Sequence, residues 1–395
     1  MTGAVFSSDS TSGICFNELE TPSITAPSRV APGLFPGSVL VRVHAAGANP
    51  VDAKYIIGDK LPESWMSFSA RRVTGHTPGF DFSGVVVSAP EGCGYEAGDE
   101  VYGLACDPAK MAMRTLRGSF AEYCCPPLNQ ICKKPASLSH IEAAALPLVG
   151  TTCVQAFEEH GLKEGHRVLI IGASGGVGHV ATQVASLQGA KVVGVCSGRN
   201  EEFVKKMGAE KVISYGDGDV FEKIVKEAES GGKFDIVLDC VNSADSRDQK
   251  ASYLSQLLGP LKGSVINTES GSDGHNYVVL GGRSGEWATA ALKRFTGVNM
   301  FKSNFELFWI KMPSCQSALE TLGQLADGKG LKPKVDLEMD FSEESCRKAF
   351  DTLRGRRTAG KIVLKVVESP RKSPRKSPRK SPRKSPRKSP SGLSK

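Results

Sequence analysis

The run His166-Arg-Val-Leu-Ile-Ile-Gly-Ala-Ser-Gly-Gly-Val-Gly178 constrains the fold more than any other stretch of the chain. Val168 to Ile171 is continuously apolar, the pattern of a parallel strand buried on both faces. Ala173, Ser174, Gly175, Gly176, Val177 and Gly178 follow as an Ala-for-Gly form of the G-x-G-x-x-G turn. Val180, Val184, Ala185 and Leu187 then recur at helical spacing. Strand, glycine turn and helix in that order are the setting a dinucleotide-binding fingerprint needs. Gly175 lets the main chain approach a pyrophosphate. Gly178 lets the helix pack closely on the strand. The helix N-terminus turns unpaired N–H groups toward the anion. The bland alternative is a glycine-rich turn that only packs. A second strand, Lys191–Cys196, right after the helix favours the nucleotide reading.

The tip of that second strand bears on which dinucleotide is bound. An NAD site usually places Asp or Glu about 20 residues past the loop, on the ribose 2′-hydroxyl. Here the strand ends Val195-Cys-Ser197-Gly-Arg199-Asn200, and Glu201 and Glu202 come only where the next helix would begin. Ser197 and Arg199 can instead take a 2′-phosphate, because a guanidinium makes paired bonds to phosphate oxygens. Tyr215, after a third strand at Lys211–Ser214, can add a hydroxyl. The expected cofactor is NADPH. A solvated loop cation is the other reading of Arg199.

The 395 residues suffice for two ordinary domains. The net charge of +8 misleads. Residues 369–395 hold 11 Lys or Arg and no acid, which leaves 39 basic and 42 acidic residues elsewhere, a net of −3. Nothing in the body suggests nucleic acid. No secretory segment, arginine-rich transit peptide or membrane-length apolar run is evident. The 11 cysteines are irregularly spaced, without C-x-x-C, as in a reduced intracellular protein. The expected compartment is the cytoplasm, with nuclear or organelle-membrane association left open.

Residues 14–140 alternate short β patterns with Gly/Pro turns: Val39–His44, Gly84–Ser88, Glu100–Gly103 and Gly118–Cys124. Ser139 and Glu142 have capping-box spacing at a helix start. Strand–helix units follow, with strands at 168–171, 191–196, Lys211–Ser214, Phe234–Asp239 and Gly263–Asn267. That alternation means a parallel sheet covered on both faces. A strand at Phe305–Lys311, a helix at Ser314–Asp327 and a β ending at Gly360–Val366 return to the first style. Residues 1–140 and 300–368 are thus expected to form one mostly β domain. Residues 141–299 form the inserted nucleotide domain, and the active site lies in the cleft between them.

Seven segments, in order and spacing, resemble the medium-chain dehydrogenase/reductase superfamily. They are Ala48-Asn-Pro-Val-Asp52, Thr77–Val86, Gly98–Gly103, Gly118–Tyr123, Ala143–Pro147, the glycine loop and Gly360-Lys-Ile-Val363. The resemblance implies an α/β chain, a doubly wound Rossmann sheet inserted in a GroES-like catalytic domain, and a homodimer. Cys196–Tyr215 looks most like the zinc-independent quinone oxidoreductase branch, including the chloroplast-envelope homologues and reticulon-4-interacting-protein-like reductases. Where alcohol dehydrogenases of this superfamily place the Cys and His ligands of catalytic zinc, this chain has Asn49 and Phe80. Phe cannot ligate, and Asn is a poor zinc ligand. No metal is expected; His76 or His44 with Cys106 is the remaining candidate set.

Without zinc, a simple ketone lacks the polarisation that alkoxide formation needs. Quinones and α,β-unsaturated carbonyls give delocalised anions that ordinary donors can stabilise. The resemblance also implies an NADPH-dependent reductase of such acceptors, with Asn49, Lys54 and Thr152 lining the site. Many quinone oxidoreductases carry Tyr where Lys54 stands, and Tyr55 adjoins it, so Lys54 and Tyr55 are both candidates for proton donor. Asp52 reads as a turn former. His179 reads as packing near the cofactor.

From Ser369 the tetrad Ser-Pro-Arg-Lys occurs five times. Proline at every fourth position forbids helix and sheet, and charge repulsion extends the chain, so a disordered basic tail is expected. The repeats resemble the arms of some sperm and linker histones that enter narrow minor grooves. Each unit also resembles a proline-directed kinase site. Weak binding to DNA, to anionic lipid or to an acidic protein all remain open. A chain that only senses NADPH while tethered by this tail is the alternative to an enzyme.

Overall fold

Apolar runs in the middle of the chain become one parallel sheet, and alternating runs on either side become a second, mainly antiparallel one. The computed structural model describes residues 2–6, 14–24, 37–54, 77–105, 118–241, 252–268, 276–280, 305–308, 310–311 and 315–366. The strands are β1 Thr2–Phe6, β2 Ile14–Glu18, β3 Leu40–Ala48, β4 Asp81–Ser88, β5 Glu100–Leu104, β6 Tyr123–Cys124 and β7 Ile131–Lys133. The parallel set is β8 Arg167–Ile171, β9 Lys191–Cys196, β10 Lys211–Ser214, β11 Ile236–Asp239, β12 Tyr277–Val279 and β13 Glu306–Leu307. The last two are β14 Val335–Asp340 and β15 Lys361–Lys365.

The parallel sheet runs β10-β9-β8-β11-β12-β13. This is the doubly wound order, with the strand order reversing beside β8, and ligands bind at such a switch point outside the carboxyl ends of the strands. Both faces of β8 are covered. Val168 and Ile170 pack with the helices Pro147–Glu159, Gly178–Leu187 and Cys315–Lys329. Leu169 and Ile171 pack on the other side with Ile224, Ala228 and Leu257. A run buried on two faces cannot alternate, which is why Val168–Ile171 reads as continuously apolar. Among the described residues no helix is long and apolar enough to cross a membrane, and the nine cysteines whose side chains are described form no disulfide.

The second sheet runs β14-β15-β3-β4-β5-β7, with β6 also on β3. Its strands come from both ends of the chain. Ile362 of β15 pairs with Ala48 of β3, and Gly47 of β3 pairs with Asp81 of β4. This register gathers 47–49, 81 and 361–362 at one end of the sheet, next to the start of the helix Pro147–Glu159. The fold is the GroES-like and Rossmann pair expected from the sequence.

Two local expectations are corrected. Gly263–Asn267 is no strand: Lys262–Val265 is a short helix, and Ile266 makes a single bridge to Phe234. The place beside β11 is taken by β12. The Phe305–Lys311 segment contributes only Glu306–Leu307, and that strand extends the parallel sheet from β12 rather than the β domain. The Ser139–Glu142 capping box forms, with Ser139 N donating to Glu142 at 2.9 Å and Glu142 N to Ser139 Oγ at 3.2 Å. The helix after Ser314 runs Cys315–Lys329. The Ser-Pro-Arg-Lys tail lies outside the described residues.

Candidate active site

The glycine loop leaves β8 and enters the helix Gly178–Leu187, which has no side-chain cap. Its three glycines serve different ends. A Cβ on Gly178 would lie 2.2 Å from Gly172 O and 2.7 Å from Ala173 Cα, so only glycine allows that strand–helix approach. A Cβ on Gly175 would meet only Gly172 O, at 3.3 Å. On Gly176 it would meet Lys361 Cδ at 3.4 Å and Gly360 O at 3.5 Å. Packing therefore explains Gly178 and leaves Gly175 and Gly176 bordering open space. An uncapped helix N-terminus beside an open glycine surface fits a pyrophosphate.

Ala173 is fully buried. Ser174 Oγ accepts a hydrogen bond from Asn200 Nδ2 at 3.1 Å, which ties the loop to the tip of the second strand. At that tip Ser197 leads into the short turn Gly198–Asn200 that carries Arg199. Tyr215 is 55 % exposed, and its N–H donates to Cys196 O at 3.1 Å. Ser197, Arg199 and Tyr215 therefore gather at one corner. Arg199 Nη2 also donates to Arg357 O at 3.4 Å, which brings the Arg356–Arg357 turn from the other domain alongside. Arg356 there has a left-handed φ of 50°. Asp217 is close to the same corner: a Cβ on Gly198 would lie 3.6 Å from its Oδ2. Arg357 and Asp217 were not singled out in the sequence, since neither falls on a strand tip.

The helix Pro147–Glu159 carries Thr152 past the loop, and Cys153 Sγ lies 3.7 Å from Val177 O. Thr152 Oγ1 donates to Leu148 O at 2.7 Å, so the hydroxyl is left to accept. The N-terminus of this helix is capped from a distance. Asp81 Oδ1 accepts the Leu148 N–H at 2.7 Å, and the charge favours the helix dipole.

Asn49 is 2 % exposed, and its side chain points into the protein. Its Nδ2 donates to Asp81 Oδ2 at 2.9 Å, and its Oδ1 accepts from Lys361 Nζ at 2.5 Å. Lys361 Nζ also donates to Asp81 Oδ2 at 3.1 Å. In the sequence Gly360-Lys-Ile-Val363 is only a family marker, because a lysine in an apolar terminal strand gives no local sign of facing inward. Asp52 Oδ2 accepts the Asn49 N–H at 2.7 Å, the contact of a turn former. Burial, reinforced by the charge of Asp81, pushes the Asp52 carboxyl up to about 8. Lys54 closes the helix Pro50–Lys54; its side chain and the whole of Tyr55 lie outside the described residues.

His179 is fully buried and touches the loop from behind. Its Nε2 accepts the Lys334 N–H at 3.1 Å, so Nδ1 carries the proton and donates to Gly175 O at 2.9 Å. Burial lowers this imidazole to about 4, so it is neutral.

Phe80 sits in an apolar cluster with Leu104 and Cys315. The positions that hold zinc in alcohol dehydrogenases thus carry a phenyl ring in a core and an amide whose atoms are already bonded. These residues do not fit a catalytic zinc. Among the described residues no group of three or more His, Cys, Asp or Glu could hold a metal ion.

The chain matches two family models, the alcohol dehydrogenase GroES-like domain at 35–136 and the zinc-binding dehydrogenase model at 176–257. It is 30 % identical over 353 residues to the mitochondrial NAD(P)H oxidoreductase RTN4IP1 of Danio rerio, covering 85 % of this chain and 86 % of that one. It is 30 % identical over 337 residues to a 2-methylene-furan-3-one reductase of Solanum lycopersicum, covering 84 % and 73 %. Among solved structures, the quinone oxidoreductase from Coxiella burnetii superposes with a TM-score of 0.66 at 24 % identity, over 93 % of this chain and 100 % of that one. The chain belongs to the medium-chain dehydrogenase/reductase superfamily, among its NAD(P)H-dependent oxidoreductases.

Proposed function

We propose that this protein is an NADPH-dependent, zinc-independent reductase of quinones or α,β-unsaturated carbonyls. The observation that carries the reading is the open Gly175–Gly176 surface at an uncapped helix N-terminus, beside the helix that bears Thr152. Two relatives are described as an NAD(P)H oxidoreductase and as a 2-methylene-furan-3-one reductase, and the second name is that of an α,β-unsaturated ketone, which supports the same class.

NADPH, when bound, supplies the hydride. A conjugated acceptor then needs one proton to become a saturated carbonyl or a hydroquinone. Ser197, Arg199 and Tyr215 hold the 2′-phosphate, and Arg357 adds positive charge at the same corner. Ser174, Gly176, Val177 and Gly178 would hold the pyrophosphate by main-chain donors, and Gly175, whose own N–H goes to Gly172 O at 3.0 Å, gives it room to approach. Thr152 orients a donor group of the cofactor or substrate through its free lone pairs. Lys54 or Tyr55 delivers the proton. Asn49 acts by shaping the wall, since its own polar atoms are engaged. In this reading developing charge is met by hydrogen bonds, which suits a delocalised anion. The protein acts as a homodimer in this reading.

NADPH should bind more tightly than NADH, with Arg199→Ala weakening NADPH alone by about 1.5–3 kcal/mol, the scale of a charge-assisted bond. Titration of both cofactors checks this; equal dissociation constants in the natural protein would hand the corner to Asp217 and NADH. A screen of NADPH consumption over quinones, alkenals and cyclic enones identifies the acceptor class. Zinc analysis should find no stoichiometric metal.

The five Ser-Pro-Arg-Lys repeats favour one addition: the tail binds polyanions weakly. The same repeats are what favours the alternative, an NADPH-sensing protein tethered to DNA or an anionic surface. Turnover distinguishes the two.

A further inference from the structure

Lys361 has a nearly fully buried side chain in a strand whose next three residues, Ile362, Val363 and Leu364, are apolar core. Burying an ammonium costs several kcal/mol unless it is paired and hydrogen-bonded. Packing alone would be served by another aliphatic residue. The ammonium therefore needs a reason, and its partners supply one.

Its Nζ faces Asn49 Oδ1 and Asp81 Oδ2, while Asn49 Nδ2 faces the same carboxylate oxygen. This triangle admits only one orientation of the Asn49 amide. Rotating it by half a turn would set Oδ1 against the carboxylate and Nδ2 against the ammonium, two repulsive contacts in place of two attractive ones. The second oxygen of Asp81 holds the helix that carries Thr152. Toward the cofactor, Lys361 N donates to Lys334 O at 2.9 Å, Lys334 N donates to His179, and His179 donates to Gly175 O. The Lys361 stem also runs past Gly176. One residue thus connects the Asn49 wall, the Thr152 helix and the back of the glycine loop.

We propose that Lys361 is a positioning residue: its ammonium, through the Asn49–Asp81 pair, and its stem, beside Gly176, set the substrate wall and the glycine loop in one fixed register, while its main-chain link to Lys334 and His179 is one that any residue there would make. This deepens the reductase reading and rests on it. Lys361 need not touch the acceptor; its effect is that hydride donor and acceptor meet in a single geometry, to which transfer rates are sensitive.

Removing the ammonium alone would strand the Asp81 charge, so Lys361→Met can fail to fold. Lys361→Met/Asp81→Asn removes both charges together and keeps the test open. In the full chain, hydride transfer at saturating NADPH to cyclohex-2-enone or 1,4-benzoquinone, whichever the natural protein reduces, should fall tenfold or more in this double variant. The NADPH dissociation constant should move less than threefold. Adding Asn49→Ala should then cost less than a further twofold, although Asn49→Ala alone costs about as much as the double variant. Independently of turnover, the emission maximum of bound NADPH should shift toward that of the free cofactor. A folded double variant with natural transfer rate and natural emission would overturn the proposal. So would an Asn49→Ala loss that multiplies in full with the double variant's. If the natural protein reduces no acceptor, the reductase reading fails, and the emission readout alone still decides whether Lys361 sets the register.

Discussion

Three titrating side chains make this protein's stability depend on pH in opposite directions. Asp52 has a folded value of about 8, raised first by burial and then by Asp81, against 3.8 for the unfolded chain. A raised carboxyl binds its proton more firmly in the folded state. Its contribution is therefore complete below about 4 and is lost as pH rises through 8, at up to about 1.4 kcal/mol per pH unit. Asp52 Oδ1 has no hydrogen-bond partner among the described residues, a smaller penalty for a neutral carboxyl than for a charged one. Asp52→Asn keeps an oxygen for the Asn49 N–H and removes the titration. The amount by which its denaturation midpoint exceeds that of the natural protein should grow as pH rises from 5 to 8; an unchanged difference across that range would show that Asp52 is ionised throughout. His179 and His140 work the other way, each lowered to about 4 mainly by burial, with neighbouring His44 adding to the effect at His140. Their contribution is present above 6.5 and lost as pH falls toward 4. Acid unfolding should thus set in between pH 6.5 and 4, and His179→Gln should make that limb shallower.

The glycine loop offers a clean contrast at the level of the strand–turn–helix element. Gly178→Ala places a methyl 2.2 Å from Gly172 O, so the helix must move off β8. The expected loss is about 1–3 kcal/mol of stability, the range for overpacking. Gly176→Ala meets nothing closer than 3.4 Å and needs no unusual φ. Its stability should change by less than about 1 kcal/mol, the usual span of a glycine-to-alanine change at a permissive site. Its NADPH affinity should nevertheless fall tenfold or more, because the methyl stands on the open face. Paired thermal melts and cofactor titrations test this. If both variants lose stability and affinity in the same proportion, the loop is a packing turn. The strand, the loop and the capping box at Ser139–Glu142 were legible in the sequence because each is specified by neighbours within a few residues. The strand expected at 263–267 was not legible as a helix. Its apolar residues Val265 and Ile266 are buried either way, and only the arrival of β12 beside β11 decides against a strand.

At the scale of the molecule, the body and the tail are separable in composition. Residues 369–395 contain Leu393 as their only large apolar residue, so they have little surface to bury. Truncation after Glu368 should leave NADPH turnover unchanged and abolish binding to duplex DNA. Binding by the full chain should fall steeply with salt as condensed counterions are released, and phosphorylation of Ser373, Ser377, Ser381 and Ser385 should weaken it further. Both proteins compared in one buffer give the answer: undiminished DNA binding after truncation would place the polyanion site on the body, and lost turnover would make the tail part of the enzyme.

The sequence by itself determined the doubly wound sheet and the glycine turn at its centre, because periodicity and turn chemistry are local properties; the family resemblance pointed to Asn49 and Phe80, whose side chains do not suit zinc. Only the tertiary structure decided what Asn49 does. Its amide is held by Lys361, 312 residues away, and by Asp81. Nothing local to Lys361 marks it as inward-facing, since a lysine in a strand normally points to water. What turns it inward is the register of β15 on β3 and of β3 on β4, which delivers a carboxylate and an amide oxygen to the buried Lys361 ammonium.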